Sequence, residues 1–68
     1  MDDTLREMIV TAYQETVDEA RAAGHDAPTA HREGLTGAAM CLAAMAALDD
    51  AIAWTQVEAM DLRALAAG

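Results

Sequence analysis

Apolar residues recur at spacings of three and four from Leu5 through Met8, Ile9, Ala12, Tyr13 and Val17 to Ala20, while Arg6, Gln14, Glu15, Asp18 and Arg21 lie mostly off that stripe. This is the pattern of an amphipathic helix. Thr4-Leu5-Arg6-Glu7 fits a capping box, in which the Thr4 hydroxyl and the Glu7 carboxylate each satisfy a free backbone N–H. Helix 1 is therefore expected over about residues 4–23. Gly24-His25-Asp26-Ala27-Pro28 then supplies a terminating glycine, a capping aspartate and a proline suited to a first helical turn.

Beyond Pro28 the punctuation stops. Gly34 and Gly37 each cost about 1 kcal/mol against alanine, but strong helix formers surround them, and 18 alanines bias the whole chain toward helix. No glycine, proline or asparagine lies at 48–52 to make a turn, so a continuous helix 2 is expected over about residues 28–66. At 1.5 Å per residue it is roughly 58 Å long, against roughly 30 Å for helix 1. The alternative is a three-helix bundle with a break near Asp49-Asp50. Either way the chain reads as all-α, a single small helical domain over residues 1–68 with a helical hairpin as its core motif.

Within helix 2, the 12 residues from Gly37 to Leu48 carry no polar side chain except the Cys41 thiol. One neighbouring helix covers about a third of a helix's circumference, so helix 1 cannot hide this run alone. Leaving Met40, Leu42, Met45 and Leu48 in water forgoes about 1.5–3 kcal/mol each and exposes a patch larger than soluble monomers usually tolerate. Ala39, Ala43, Ala47 and Ala51 repeat every four residues as a smooth ridge, beside larger knobs at Cys41, Met45, Leu48 and Ile52. The expected cover is a second copy of the chain. A homodimeric four-helix bundle is the minimum assembly, with Ala39, Met40, Cys41, Ala43, Met45, Ala47, Leu48 and Ile52 at the interface. A different protein supplying the cover is the other possibility.

Composition narrows the function classes. A 68-residue chain makes a marginal core and tends to need a disulfide, a metal or self-association. Cys41 is the only cysteine, which excludes an internal disulfide. The acidic start MDDTLRE lacks the features of a secretory signal, and the apolar run falls short of the roughly 20 residues that span a bilayer, so a cytoplasmic protein with no membrane helix is expected. Twelve acidic residues against four arginines, with no lysine, give a formal charge of −8. Such a field repels duplex nucleic acid but suits a basic protein partner.

Catalytic and metal chemistry find little support. His25, His31 and Cys41 match no compact metal-ligand spacing, and no cationic group within a turn activates the thiol, so Cys41 reads as a small buried hydrophobe. Asp49 and Asp50 would point about 100° apart on a helix and cannot share a substrate; they read as a solvated face. No catalytic residue, metal or cofactor is expected. Tyr13 and Trp54, the only aromatics, suit either a core edge or a platform for a planar ligand, and oligomer symmetry could converge the few arginines on a phosphate.

Leu48-Asp49-Asp50-Ala51-Ile52-Ala53-Trp54 resembles the C-terminal helix of small phage proteins that sequester cyclic oligonucleotides and thereby defeat CBASS-type bacterial immunity. Pro28 followed by His31-Arg32-Glu33 resembles the opening of the same helix in that family. The two pieces cover about a third of the chain. Arg32 and Trp54 lie about two helical turns further apart than in the family pattern, Thr55-Gln56 replaces alanine and asparagine, and lysine is missing. The resemblance implies an oligomer of helical hairpins that binds a signalling nucleotide between subunits and does not cleave it. It further implies that Arg32 and Arg6 pair with phosphates and that Tyr13 stacks on a base; Trp54, as the other aromatic, is a candidate ligand contact on its own chemistry. Two other classes compete with this sponge: an acidic inhibitor or adaptor that meets a basic protein, as a nucleic-acid mimic does, and a plain assembly module.

Overall fold

The structure is a computed structural model and describes residues 2–67. Those residues form four helices and no strand: α1 (Asp3–Ala22), α2 (Ala27–Ala46), α3 (Asp50–Ala59) and α4 (Leu62–Ala67). The all-α class and the α1–α2 hairpin thus stand. The start of α1 differs in its cap. Asp2, not Thr4, accepts the Leu5 N–H, at 2.8 Å, and Thr4 already lies inside the helix. An aspartate caps at least as well as threonine and adds a negative charge at the positive end of the helix dipole, so the earlier residue takes the role.

Gly24, at φ 94°, ends the first helix as its sequence suggests, with its N–H on the Arg21 carbonyl and the His25 N–H on the Ala20 carbonyl. Asp26 then caps α2 by accepting the Thr29 N–H at 2.9 Å, and Pro28 sits in the first turn.

The continuous helix over 28–66 is overturned. The chain breaks at Ala47, which adopts φ 55° and ψ 44°, and Leu48 donates its N–H back to the Ala43 carbonyl at 3.0 Å. Asp49 restarts the helix by accepting the Ala51 N–H at 2.8 Å. The alternative break near 49–50 is therefore the observed one, and α1 and α2 have the same length, 20 residues each. A left-handed alanine costs about 1–2 kcal/mol. The cost is offset because the turn folds α3 back onto α2 and takes Ala53 and Val57 fully out of water. A second break follows at Met60, whose ψ of 118° is extended, and α4 returns to pack on α1.

The core gathers Ile9 and Tyr13 of α1, Ala38, Ala39 and Leu42 of α2, Ala53 and Val57 of α3, and Leu62 of α4. Burying Ile9, Leu42, Val57 and Leu62 stabilises the fold by about 1.5–3 kcal/mol each. Small residues on α2 set how near α1 can come. A Cβ on Gly34 would lie 2.6 Å from Val17 Cγ2 and 2.7 Å from the Tyr13 ring, and one on Gly37 would lie 2.5 Å from the Thr16 hydroxyl. Among the described residues no helix is long and apolar enough to cross a membrane.

Two substitutions have opposite expected signs. Ala47→Gly relieves the left-handed strain and should raise stability by about 1 kcal/mol, or roughly 4–8 °C in Tm for a domain this small. On an unbroken helix the same change would lower stability by a similar amount, so thermal unfolding followed by circular dichroism decides between the two. Gly34→Ala, normally favourable in a helix, should instead destabilise by about 1–3 kcal/mol because the methyl group displaces Tyr13 and Val17.

Candidate functional site

The residues expected to hold a ligand do not come together. Tyr13 is only 4% exposed, so its ring is core and offers no face for a base. Its hydroxyl lies 2.7 Å from His31 Nδ1, and the two rings meet edge to face with centroids 5.6 Å apart. In the single chain Tyr13 fills the space above Gly34 in the α1–α2 interface, and only an edge of it reaches the cleft described below. Arg6 borders a shallow groove between α1 and α4 with Glu7, Val10, Thr11 and Leu65. Arg32 is exposed on α2, and Trp54 is half-buried against the core.

The alanine ridge also divides. Ala39 is 2% exposed, taken up by the chain's own core, and so is not open to a second copy. Its ridge partner Ala43, with Cys41 and Leu48, is partly buried on that core. The turn at Ala47 brings α3 over this side, which explains why residues expected to face another subunit face their own chain. Met40, Met45 and Ile52 remain 67%, 54% and 50% exposed, and Ala44, Ala46, Ala47 and Ala51 are also exposed along the second half of α2 and the turn into α3.

A cleft of about 460 Å³ opens at the other end of the molecule, between the C-terminal half of α1, the first turns of α2 and α4. Val17, Pro28, Ala30 and Ala66 give it apolar walls; Arg21, Arg63, His31 and Gln14 supply the polar groups. Among the described residues no acidic side chain lines it, although the chain has twelve. Arg21 Nη1 donates to the His25 carbonyl at 3.1 Å, which holds its stem against the end of α1. Among the described residues the one contact of salt-bridge length is His25 Nε2–Glu33 Oε1, at 4.0 Å, so no arginine there is neutralised by a direct carboxylate partner. A smaller cleft of about 230 Å³ shares His31 and Arg63 and contains Glu58 and Asp61.

Asp26 lies near the same end of the molecule. Hydrogen bonds from the Thr29 side chain and backbone N–H, then the charges of Arg32 and Arg21, hold its carboxyl below the ordinary value of 3.8. Its charge is therefore present at neutral pH, engaged in capping α2. Neither arginine of the large cleft belongs to the set that the family resemblance implies. Arg21 looked like one polar position among several on helix 1, and Arg63 becomes a neighbour of α1 only through the two breaks in the second half of the chain.

No family model, curated protein or solved structure matches this chain. The resemblance to nucleotide-sequestering phage proteins consequently rests on its two short pieces of sequence. Among the described residues, no three His, Cys, Asp or Glu side chains are grouped so as to hold a metal ion.

The Tyr13–His31 bond gives a direct check on the structural role of Tyr13. Tyr13→Phe keeps the packing and removes one part-buried hydrogen bond, so it should lower stability by about 0.5–1.5 kcal/mol in chemical unfolding. No loss would mean that the hydroxyl does not bridge the two helices.

Proposed function

We propose that the protein is a non-catalytic binding protein that works as an assembly of its own copies. The observation that supports this reading is the exposure of large apolar side chains on the second half of α2 and the start of α3, where Met40, Met45 and Ile52 are each at least half exposed. Between Met40 and Leu48 no charged side chain interrupts the surface. Exposed large side chains and exposed alanines both occur on the second half of α2 and the start of α3, which gives a two-fold interface knobs and seats to use on both sides. Covering it with a second copy removes three large apolar side chains per chain from water.

In its more specific form, suggested by the resemblance, the assembly holds a cyclic nucleotide signal and lowers its free concentration without cleaving it. Tyr13 is not the stacking group in that form. Trp54, the aromatic with surface still exposed, is the one left to contact a base.

Light scattering coupled to size exclusion tests the assembly. At micromolar concentration the mass should be at least twice 7.1 kDa, and Met45→Glu should return the chain to a monomer. Because each copy carries −8, added salt should strengthen self-association by screening the repulsion. Capture of a basic partner by the acidic surface would weaken under the same change. A monodisperse 7.1 kDa wild type overturns the reading.

A further inference from the structure

From the cleft between α1, α2 and α4 we infer a binding site for a small phosphate monoester with an apolar body, its phosphate held by Arg21 and Arg63 beside His31. The inference rests on the chain being a binding protein but not on its being an oligomer.

The charge distribution is the first support. Twelve acidic and four arginine side chains are spread over a small surface, yet a cleft of about 460 Å³ takes two of the arginines and none of those acidic side chains. Desolvated acid–arginine pairs would be the ordinary way to line such a depression, and none is present among the described residues. Two guanidinium groups on separate helices can each present paired N–H donors, which matches the oxygens of a phosphate better than one ammonium would.

The second support is shape and lining. A space of about 460 Å³ falls in the range of small-molecule pockets. Its apolar walls, Val17, Pro28, Ala30 and Ala66, suit a hydrocarbon or aromatic body rather than a fully hydrated ion. His31 is held by Tyr13 through Nδ1, which fixes the imaidazole at the cleft while its Nε2 has no protein partner among the described residues. Arg63 lies between this cleft and the smaller one containing Glu58 and Asp61, yet among the described residues no carboxylate comes within 4.0 Å of it. Its guanidinium is therefore free to turn toward an incoming anion.

The test is a titration of the full chain, labelled with ¹⁵N, with three probes: phenyl phosphate, inorganic phosphate and benzoate. Phenyl phosphate should give saturable shifts at Gln14, Ala30, His31 and Ala66, and should bind at least fivefold more tightly than either other probe. Arg63→Gln should weaken it about tenfold. Arg21→Gln should do the same but also removes a bond to the His25 carbonyl, so Arg63→Gln is the decisive variant. Gln56→Glu makes the same change in net charge on exposed α3 and should alter binding by less than twofold.

Three outcomes overturn the site: no saturable shift with phenyl phosphate, equal weakening by Gln56→Glu and Arg63→Gln, or shifts centred on Arg6 and Leu65 instead. Tighter binding of benzoate than of phenyl phosphate overturns the phosphate assignment in favour of a carboxylate. Repeating the titration on Met45→Glu separates this inference from the proposed assembly. Retained binding by a monomer leaves the cleft standing whichever way the assembly result falls.

Discussion

A left-handed alanine at position 47, followed by the capping carboxylate of Asp49, is the constraint from which the rest of the tertiary structure follows. Without that turn the residues after Ala46 would extend beyond α1, and Val57 and Leu62 would have nothing in their own chain to pack on. With it, α3 lies along α2 and α4 reaches α1. The strain is small beside the gain. About 1–2 kcal/mol is stored at one residue, whereas burial of Val57 and Leu62 alone contributes about 1.5–3 kcal/mol each.

The closeness of α1 and α2 depends on the opposite device, the absence of side chains. Gly34 and Gly37 let Tyr13, Val17 and Thr16 sit where a Cβ would otherwise be. That approach carries the Tyr13 hydroxyl to His31 and turns the aromatic ring into part of the core. The interface that buries the Tyr13 ring is the same one that presents His31 to the cleft, where Tyr13 contributes only an edge of the lining.

Much of this was legible in local pattern. The 3–4 spacing from Leu5 to Ala20 and the Gly24–Pro28 punctuation locate α1, the loop and the start of α2 within a residue or so. The break at Ala47 was not, because alanine is the best helix former and its left-handed conformation is imposed by tertiary packing rather than by propensity. Asp49 did carry the signal, as a capping residue ahead of Ala51, but a helix read as continuous leaves an aspartate no role except on a solvated face. The same misreading sent Ala39 to an intersubunit ridge. For the cleft, the separation of Arg21 and Arg63 by 42 positions in sequence hid a neighbourhood that exists only after two turns of the chain.

An acidic chain that concentrates arginines in one cleft combines two ranges of electrostatics. At physiological salt the field of a charge fades over about 8 Å, so carboxylates on the far faces act weakly inside the cleft, and the nearer ones, Asp26, Glu58 and Asp61, lie outside its lining, which holds Arg21 and Arg63. An extended polyanion cannot exploit this difference, since most of its length would lie along the acidic exterior. A small anion can, because its whole charge fits within the reach of two guanidinium groups. The net charge of −8 and the basic cleft are thus compatible, and together they select for size as well as for sign.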